Sequence, residues 1–360
     1  MTFLVDAHHL GHRQTGNETW TRNMVRELAT LLPREALEIA VTPQGRGALR
    51  ELVGEEGHLI HWSGPRRLGY DLPRLARRVD ASALLVQYTT ALSRTPAVLA
   101  VHDLSFEDPR ADQWLGPVFR HRLRLTVRAS CRRAARVITL SEHGRRTIID
   151  RYGLDPDRVE VAGCAVDPGL ALALAEAEPI ADESFRVLVV GNVVARKNIV
   201  VVARAVRALR DAGLDAVLRV VGSASASATT LVAEIEQLLE THVTFSGYVD
   251  QGQLAQEYVS ADVVCYPSLY EGFGIPVLEA MAARVPVVAS TSTSLPEVVG
   301  EAGLLADPHC HEAWVAAISS LHDDDDLRGR LVQRGVERAA AFSWRASAEV
   351  VVGALRRCAQ

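Results

Sequence analysis

The feature that most constrains the fold of this chain is the regular alternation of short, apolar, β-branched runs with arginine- and alanine-rich stretches of helical character. The first half contains LEIAVTP, ALLVQYT, AVLAVHDL and ARVITLS, and the second contains RVLVVGN, VLRVVGS, VTFSGYV, DVVCYPS and PVVAST. Such runs have the length and composition of buried strands, and strands that alternate with helices build a mostly parallel sheet. The sequence therefore predicts an α/β protein with two tandem Rossmann-like, doubly wound domains, whose strand-end loops face an interdomain cleft.

The domain boundary is predicted from a change in composition. A chain of 360 residues is too long for one ordinary core. The segment AVDPGLALALAEAEPIADESF ends one series of strands and helices with Pro, Gly and acidic residues before a new strand begins at Phe185. We expect a first domain over 1–170, a linker over 171–184, a second domain over 185–340 and a final helix over 341–360.

Composition narrows the class of protein. A hydrophobic fraction of 48% with 23% charged residues is typical of a soluble globular chain, and a net charge of -5 argues against general nucleic-acid binding. The five cysteines are scattered without a CxxC pair, which disfavours a zinc ribbon or a disulfide framework and fits a reducing compartment. The start MTFLVDAHHL alternates like a first strand, and it has neither the basic region nor the apolar core of a signal peptide. We expect a cytoplasmic protein.

One lysine stands among 38 arginines, in the stretch GNVVARKN. Gly191 permits a tight turn directly after an apolar strand, so Arg196 and Lys197 lie on a strand-to-helix loop. Arginine can fork onto two phosphate oxygens, whereas lysine is a compact point charge that can approach a leaving oxygen closely. The pattern indicates a phosphate site, and the alternative is a solvated basic pair.

The stretch EGFGIPVLE carries a second signal. Glu271 and Glu279 are eight residues apart, Gly272 and Gly274 leave backbone amides uncovered, and Pro276 suits the first turn of a helix. A glycine-rich loop at a helix N-terminus is a ready anion site. Because carboxylates repel a phosphate, we expect both glutamates to accept hydrogen bonds from neutral hydroxyls of a sugar or a ribose.

These motifs, together with AVHDLSF, TGNETWTRNMVREL and FSGYVDQGQLAQEYVSADVVCYPS, resemble the retaining nucleotide-sugar glycosyltransferases of the GT-B fold, family 4. The likeness runs over nearly the whole length, and the end FSWRASAEVVVGAL is similar to the closing helix of that family. It implies an acceptor-binding first domain, a donor-binding second domain and a last helix that crosses back to the first. The chain looks nearest to mannosyl- and rhamnosyl-type transferases of polysaccharide and glycolipid assembly.

The resemblance also implies roles for individual residues. Catalytic roles fall to His102, Lys197, Arg196 and Glu271, and donor contacts to Gly16, Gly191, Asn192, Arg196, Lys197, Tyr248, Glu271, Gly272, Phe273, Gly274, Ile275 and Glu279. The two cations would hold the donor diphosphate, Glu279 the ribose and Glu271 the hexose. His102 would contact the transferred sugar, and Gly16, in the loop after the first strand, would face the diphosphate and the acceptor. Asn192 stands where several relatives have arginine.

The reaction implied is transfer of a hexose, with GDP-mannose favoured as donor, to a hydroxyl of a glycan, glycolipid or natural-product acceptor. Fixed cations at the departing diphosphate make a metal-independent, retaining reaction plausible, with no cofactor beyond the nucleotide-diphosphate sugar. Two acidic strings could suggest a metal, Asp155 with Asp157 and the run 323–326. The first lies in a Pro-containing loop and the second flanks a helix, so we expect neither to bind metal.

The segment 120–151 has ten arginines against two acidic residues. One interpretation is a helix that meets anionic lipid or a phosphorylated acceptor, which would place the protein peripherally at the inner face of the membrane. The other is an ordinary helix with one wet face, in which Leu123, Val127 and Cys131 pack inward. The sequence does not choose between them.

Two other functions stay open. GT-B phosphorylases form a Schiff base between lysine and pyridoxal phosphate, and a solitary lysine could serve that purpose. Arg196 beside Lys197, the short chain and the E-x7-E element argue against this function. A nucleotide-binding module without catalysis is the other alternative, and the intact set of candidate residues argues against it.

Overall fold

A computed structural model describes residues 1–12, 15–62, 64–180, 183–224 and 228–360 of the chain, which divide into two compact units. The first unit comprises Met1–Glu107, Gly116–Cys164 and Ser343–Gln360. The second comprises Asp108–Leu115 and Ala165–Phe342. Each unit contains one parallel β-sheet with helices packed against it.

The first unit is built on a seven-stranded parallel sheet of order β3-β2-β1-β4-β5-β6-β7. Its strands are β1 (Thr2–Asp6), β2 (Leu37–Val41), β3 (His58–Leu59), β4 (Ala81–Gln87), β5 (Ala97–Val101), β6 (Arg136–Thr139) and β7 (Val159–Val161). Its first helices are α1 (Thr15–Leu31), α2 (Arg46–Val53), α3 (Gly64–Arg66), α4 (Leu72–Arg78), α5 (Pro117–Arg133) and α6 (Glu142–Tyr152). The central strands are almost wholly buried, because a parallel sheet is covered on both faces.

The second unit is built on a six-stranded parallel sheet of order β10-β9-β8-β11-β12-β13. Its strands are β8 (Phe185–Val190), β9 (Ala216–Val221), β10 (Val243–Gly247), β11 (Val263–Tyr266), β12 (Val287–Ser290) and β13 (Leu304–Ala306). Its helices are α7 (Pro168–Glu176), α8 (Ile199–Asp211), α9 (Thr229–Leu239), α10 (Gln251–Val259), α11 (Ile275–Ala282), α12 (Leu295–Val299), α13 (His311–Asp323) and α14 (Asp325–Ala340). The predicted pair of Rossmann-like, doubly wound sheets is confirmed.

The last helix, α15 (Trp344–Cys358), follows the second unit in sequence but belongs to the first. It packs against α1 and the strands β4 and β5 through buried side chains that include Val351 and Leu355. The Ser347 hydroxyl donates a hydrogen bond to the carbonyl of Gly163 at 2.7 Å. The first unit is therefore completed by residues that the chain supplies last.

The segment treated as a linker in the sequence is partly helical. The second segment of the first unit ends at Cys164, and α7 occupies Pro168–Glu176 inside the second unit. Asp167 caps this helix by accepting a hydrogen bond from the Gly169 amide at 2.9 Å, and Pro168 occupies its first turn. Residues 181 and 182 of the predicted linker lie outside the described residues.

The arginine-rich segment 120–151 is not one helix: it runs through α5, β6 and α6. Val127 and Cys131 are buried as expected, whereas Leu123 is only partly covered. Several of its arginines bond to the fold itself; Arg124 donates to Glu107 at 3.0 Å and Arg145 to the carbonyl of Val159 at 2.9 Å. Among the described residues, no helix combines the length and apolar character needed to cross a membrane.

Candidate functional site

The strand order of the second sheet reverses between β8 and β11. The loops after these two strands carry most of the candidate residues. Ligands of open α/β sheets bind where the carboxyl ends of such neighbouring strands diverge. The two loops are joined by their backbones, because the Leu269 amide donates to the carbonyl of Arg196 at 2.8 Å. The fold therefore brings the GNVVARKN and EGFGIPVLE motifs to one place.

Two glycines allow the first loop to pack closely. Gly222, after β9, has a φ of +148°, and a Cβ there would stand 2.2 Å from the carbonyl oxygen of Gly191. Gly191 has a φ of +144°, and a Cβ there would stand 3.0 Å from Cε of Lys197. The lysine stem thus lies directly against the backbone of the turn, in the space that a side chain at Gly191 would fill.

Lys197 is the centre of a compact charged group. Its Nζ lies 2.8 Å from Oε1 of Glu271 and 4.4 Å from the centre of the Tyr266 ring, whose hydroxyl accepts a hydrogen bond from it. Arg196 reaches the same carboxylate oxygen, with Nη1 at 3.0 Å, and also donates to the carbonyl of Tyr270. Glu271 is therefore the shared counterion of both cations.

The charge state of Glu271 follows from this arrangement. Burial alone would raise its pKa, but the Lys197 ammonium and then the Arg196 guanidinium outweigh it and hold the pKa at about 2. The expectation that Glu271 accepts hydrogen bonds from neutral hydroxyls stays a prediction, and in the structure the carboxylate pairs with the two cations. Two fixed cations in a buried place require a counterion, and Glu271 is the carboxylate that the loop brings to them.

The EGFG turn is held by hydroxyls of the following loop. Thr293 Oγ1 accepts from the Glu271 amide at 2.9 Å and donates to the Glu271 carbonyl at 3.0 Å, and Ser294 donates to the carbonyls of Glu271 and Phe273. Gly274 has a φ of +113°, in the left-handed region that favours glycine. The turn leads into α11 at Ile275, whose first-turn amides lack partners within the helix.

Phe273 does not offer its ring to a ligand. It is buried, and its ring meets that of Phe342 edge-on with centroids 5.5 Å apart. Its side chain anchors the turn in the core, so only its backbone could contact a donor. Gly272 and Ile275 on either side are partly exposed.

Glu279 lies eight residues after Glu271 and has a different environment. It is buried on α11 and accepts a hydrogen bond from the Tyr258 hydroxyl at 2.7 Å. Burial raises its pKa to about 7, against the lowering effect of that hydrogen bond, and the nearby Asp167 carboxylate adds to the rise. The two glutamates of one motif thus differ widely in acidity, because only one of them meets cations directly.

Among the predicted donor contacts, Asn192 and Tyr248 have exposed side chains. Asn192 is exposed on the loop after β8. Tyr248 follows β10, which is two strands away from β8, and its side chain is exposed. Both therefore stay predictions as donor contacts.

His102 belongs to the first unit and stands just after β5. It is buried between the rings of Trp20 and Tyr88, with centroids 4.4 and 5.5 Å away, and its Nδ1 lies 3.0 Å from Oδ1 of Asn17. Burial, together with His9 and His8, lowers its pKa to about 3, so the ring is neutral. Its Nε2 is buried without a hydrogen-bond partner among the described residues.

Gly16 is not in a loop as predicted, because α1 already begins at Thr15. The glycine occupies the first turn of this helix and is exposed, with open space where a Cβ would stand. A donor or acceptor contact of Gly16 stays a prediction, and it would be made from the first turn of a helix rather than from a loop.

Sequence reasoning missed several residues that shape the site. Tyr266 ends β11, Tyr258 lies on α10, and both were hidden in stretches interpreted only as strand or helix. Asn198 has a φ of +53° and donates to the carbonyls of Pro267 and Pro308, which ties the lysine loop down. Of these residues, only Asn198 had a usable signal in the sequence. It stands directly before a helix, and asparagine tolerates the left-handed region.

The two acidic strings have structural roles in the fold. Asp155 accepts a hydrogen bond from the Asp157 amide at 3.0 Å at the start of a 3₁₀ turn. Asp324, in the second string, caps α14 by accepting from the Leu327 amide at 2.8 Å.

The fold and the site define a class: two Rossmann-like units of the GT-B kind with a cationic, glycine-rich strand-end site. Two family models match nearly the whole chain between them. The model described as Glycosyltransferase Family 4 matches residues 16–170, and that described as Glycosyl transferases group 1 matches 173–338. The chain belongs to these family 4, group 1 glycosyltransferases.

Curated relatives of known name match about three fifths of the chain. The O-antigen chain mannosyltransferase B of Escherichia coli is 35% identical over 217 residues, which cover 58% of this chain and 57% of the relative. The D-inositol 3-phosphate glycosyltransferase of Kineococcus radiotolerans is 34% identical over 253 residues, which cover 63% and 58%. The matched region thus spans little more than half the length of these relatives.

Solved structures with the same fold match the chain from end to end. Sucrose-phosphate synthase from Thermosynechococcus elongatus aligns with a TM-score of 0.75 at 20% identity, over 99% of this chain and 98% of that one. Anabaena HepE in complex with UDP-glucose aligns with a TM-score of 0.72 at 16% identity, over 99% and 100%. At such identities the likeness establishes the fold alone.

Proposed function

We propose that the protein transfers a hexose from a nucleotide-diphosphate sugar to a hydroxyl of a glycan, glycolipid or natural-product acceptor. The observation that carries this proposal is the Lys197, Arg196 and Glu271 group at the divergence of β8 and β11. Family membership and named glycosyltransferases among the relatives support it. GDP-mannose is the favoured donor, since a relative at 35% identity is named a mannosyltransferase.

The two cations would act on the leaving group. As the bond between the anomeric carbon and the phosphate oxygen breaks, negative charge grows on the departing diphosphate. The fold already holds Lys197 and Arg196 together, so they would stabilise this charge once the diphosphate has replaced Glu271 as their partner. Removing one such preorganised donor commonly raises a barrier by roughly 3 to 4 kcal/mol. We therefore include independence from added metal in the proposal.

Glu271 gives the site a further property: a donor diphosphate has to compete with this carboxylate for the same two cations. Once displaced from them, Glu271 would be available to accept hydrogen bonds from hexose hydroxyls, as the family resemblance implies. Glu279 would hold the ribose hydroxyls, and the amides from Gly272 to Ile275 would face the sugar and phosphates.

His102 would accept a hydrogen bond from the transferred sugar. With Nδ1–H donated to Asn17, the buried Nε2 carries a lone pair, and the neutral ring suits an acceptor rather than a cation. Retention would follow if the acceptor hydroxyl attacks the anomeric carbon from the face that the diphosphate leaves. Its proton would then pass to the departing phosphate oxygen.

The deciding experiment is a thermal-shift panel of GDP, UDP, dTDP and ADP, first without metal and then with Mg²⁺. A ligand at about 100 times its Kd adds about 2.7 kcal/mol to the free energy of unfolding, which raises Tm by several degrees. We expect a shift with GDP that needs no Mg²⁺. If Tm rises only with a nucleotide other than GDP, the donor carries that base. If Tm rises only when Mg²⁺ is present, the proposed independence from metal is wrong. If Tm rises with none of the nucleotides, the proposed function is contradicted.

The same panel tests the competition by Glu271. Glu271→Gln removes the charge that competes with the diphosphate, so we expect the variant to start at a lower Tm and to gain more from the nucleotide than the wild type does. The lower starting point reflects two cations that lose their counterion. Glu257→Gln is the matched control, because Glu257 pairs with Arg219 elsewhere in the second unit. An equal gain in both variants would show that Glu271 does not compete with the ligand.

Neither alternative function gains support from a specific contact. A Schiff base requires a free amine as nucleophile, whereas Lys197 is paired with Glu271 and Tyr266. A nucleotide-binding module without catalysis would show a higher Tm with a nucleotide in the thermal-shift panel, but it would release no hexose from any donor.

The membrane contact of segment 120–151 stays a prediction. Helix α5 exposes Val118, Phe119 and Leu125 among its arginines, which is the combination that an anionic lipid surface attracts. Co-sedimentation with vesicles of anionic and of neutral lipid would decide it, with binding to the anionic vesicles alone as the expected result.

A further inference from the structure

A tryptophan and three histidines meet at the carboxyl edge of the first sheet. Because β3, β2 and β1 are adjacent and parallel, the loops after β1 and after β3 emerge on the same edge. His8, His9 and His12 lie in the first of these loops and Trp62 in the second. None of the four belongs to the donor site proposed above.

The indole of Trp62 stands partly in solvent and is backed by imidazole. The residue is 39% exposed, and His12 stacks on its indole with ring centroids 4.1 Å apart and planes inclined by 25°. His8 and His9 lie at its side, with centroids 5.5 and 6.1 Å away. His12 therefore covers one face of the indole, and the rest of the indole borders solvent with two further imidazoles near it.

A buried ionic framework fixes this tryptophan in place. Arg67, itself buried, donates to the carbonyl of Trp62 at 3.1 Å and pairs with Asp6, with Nε 3.2 Å from Oδ2. The other oxygen of Asp6 lies 3.0 Å from Nδ1 of His8. The residue before Trp62 is held as well, because the His61 amide donates a hydrogen bond to the Asp71 carboxylate at 2.8 Å.

The stacking partner is fixed as well. Nε2 of His12 lies 2.9 Å from the hydroxyl of Thr42, at the end of β2. Hence both rings of the stack are held by neighbouring strands of the sheet. An exposed tryptophan on a flexible loop would have no need of a buried ion pair behind it, and burying such a pair is costly.

We propose that Trp62 is a stacking platform for a pyranose ring of the acceptor, with the neighbouring imidazoles as partners for its hydroxyls. A pyranose has one apolar face of C–H groups and a rim of hydroxyls, which matches an indole plane bordered by ring nitrogens. A hydrocarbon chain would remove water from the polar imidazoles that border the indole, and an anion would find the charge of Arg67 already compensated by Asp6.

The proposal rests on the proposed function for its biological meaning, and it narrows the acceptor to a glycan or glycoside. The location agrees with it, because His102, the residue assigned to the transferred sugar, follows β5 of the same parallel sheet. Trp62 and His102 therefore both stand at the carboxyl edge of this sheet.

The test is binding rather than turnover. Saturation-transfer NMR would record magnetisation passed from the protein to methyl α-D-mannopyranoside, methyl α-D-glucopyranoside and methyl α-D-galactopyranoside. We expect transfer to at least one glycoside, concentrated on the C–H groups of one ring face. Trp62→Ala and Trp62→Leu should both weaken binding about tenfold, and Trp62→Phe should retain most of it, because only a flat ring stacks; tenfold corresponds to about 1.4 kcal/mol.

Tyr70→Ala is the matched control, since Tyr70 is another exposed aromatic residue of the first unit and should leave the transfer unchanged. The Tm of each variant establishes that it is folded. No transfer to any glycoside in the wild type, or equal binding by Trp62→Ala and the wild type, would overturn the platform. Retained binding in Trp62→Leu would overturn stacking as its basis. Failure of the proposed function would be seen in a separate measurement, because none of the nucleotides in the thermal-shift panel would then raise Tm.

Discussion

At the scale of single residues, the solitary lysine has a structural explanation. The stem of Lys197 runs along the glycine turn at Gly191, and its ammonium sits between the Tyr266 ring and Glu271. A planar guanidinium is broader than an ammonium and could not lie against the same turn without moving it. Arg196 beside it donates from Nη1 to both the Glu271 carboxylate and the Tyr270 carbonyl.

Glu279 predicts a dependence of stability on pH. Its pKa is about 7 in the folded protein and near 4.5 in an unfolded chain. Between these values the unfolded chain loses the proton while the folded protein keeps it, so the free energy of unfolding falls as the pH rises through this window and levels off above it. Glu279→Gln has no proton to lose, so we expect the variant to gain stability relative to wild type from pH 4.5 to pH 7, by at most about 3 kcal/mol.

Urea unfolding at several pH values would measure this difference. Tyr258→Phe is the informative second variant, because it removes the hydrogen bond that lowers the pKa of Glu279 and should move the window upward. A constant difference between Glu279→Gln and wild type across the range would contradict the shifted pKa.

At the scale of elements, the site depends on the close approach of the loops after β8 and β9. We predict that Gly222→Ala costs more than about 3 kcal/mol of stability, because the new Cβ would stand 2.2 Å from a backbone carbonyl at a φ of +148°. Gly329→Ala is the control: it lies exposed on α14 with open space around it, where alanine should stabilise by roughly 0.5 to 1 kcal/mol. Denaturant midpoints of the two variants moving in the same direction would contradict this.

The elements that sequence reasoning found and missed differ in where they lie in the sheets. Apart from β10, which is an edge strand, the apolar runs became inner strands, which are covered on both faces and therefore read as continuous apolar sequence. The three strands that it did not single out, β3, β7 and β13, are all at sheet edges and have two or three residues each. An edge strand pairs on one side only and needs little apolar sequence, so its signal is weak.

At the scale of the whole molecule, the first unit is assembled from residues far apart in sequence. Helix α15 follows the second unit along the chain, yet it packs on the first through a fully buried Leu355. We predict that Leu355→Ala costs about 2 to 5 kcal/mol, because it leaves a cavity between the helix and the sheet. The exposed Leu172 on α7 is the matched control, and Leu172→Ala should stay within about 0.5 kcal/mol.

Hydrogen exchange would show where the loss falls. Protection should drop in strands β4 and β5 of the first unit while β8 and β11 of the second keep theirs, since α15 packs on β4 and β5 and belongs to the first unit. An equal drop in both sheets would mean that the two units unfold together rather than separately.

The sequence by itself determined the class of fold and the position of the motifs. Apolar periodicity is a local property, and glycine turns after buried strands, such as that at Gly191, follow from neighbouring residues. Only the tertiary structure decided that Glu271 is the counterion of Lys197 and Arg196, that the pKa of Glu279 is raised, and that Asp6 and Arg67 support Trp62. These depend on distances between atoms far apart in sequence, and both burial and charge act through such distances.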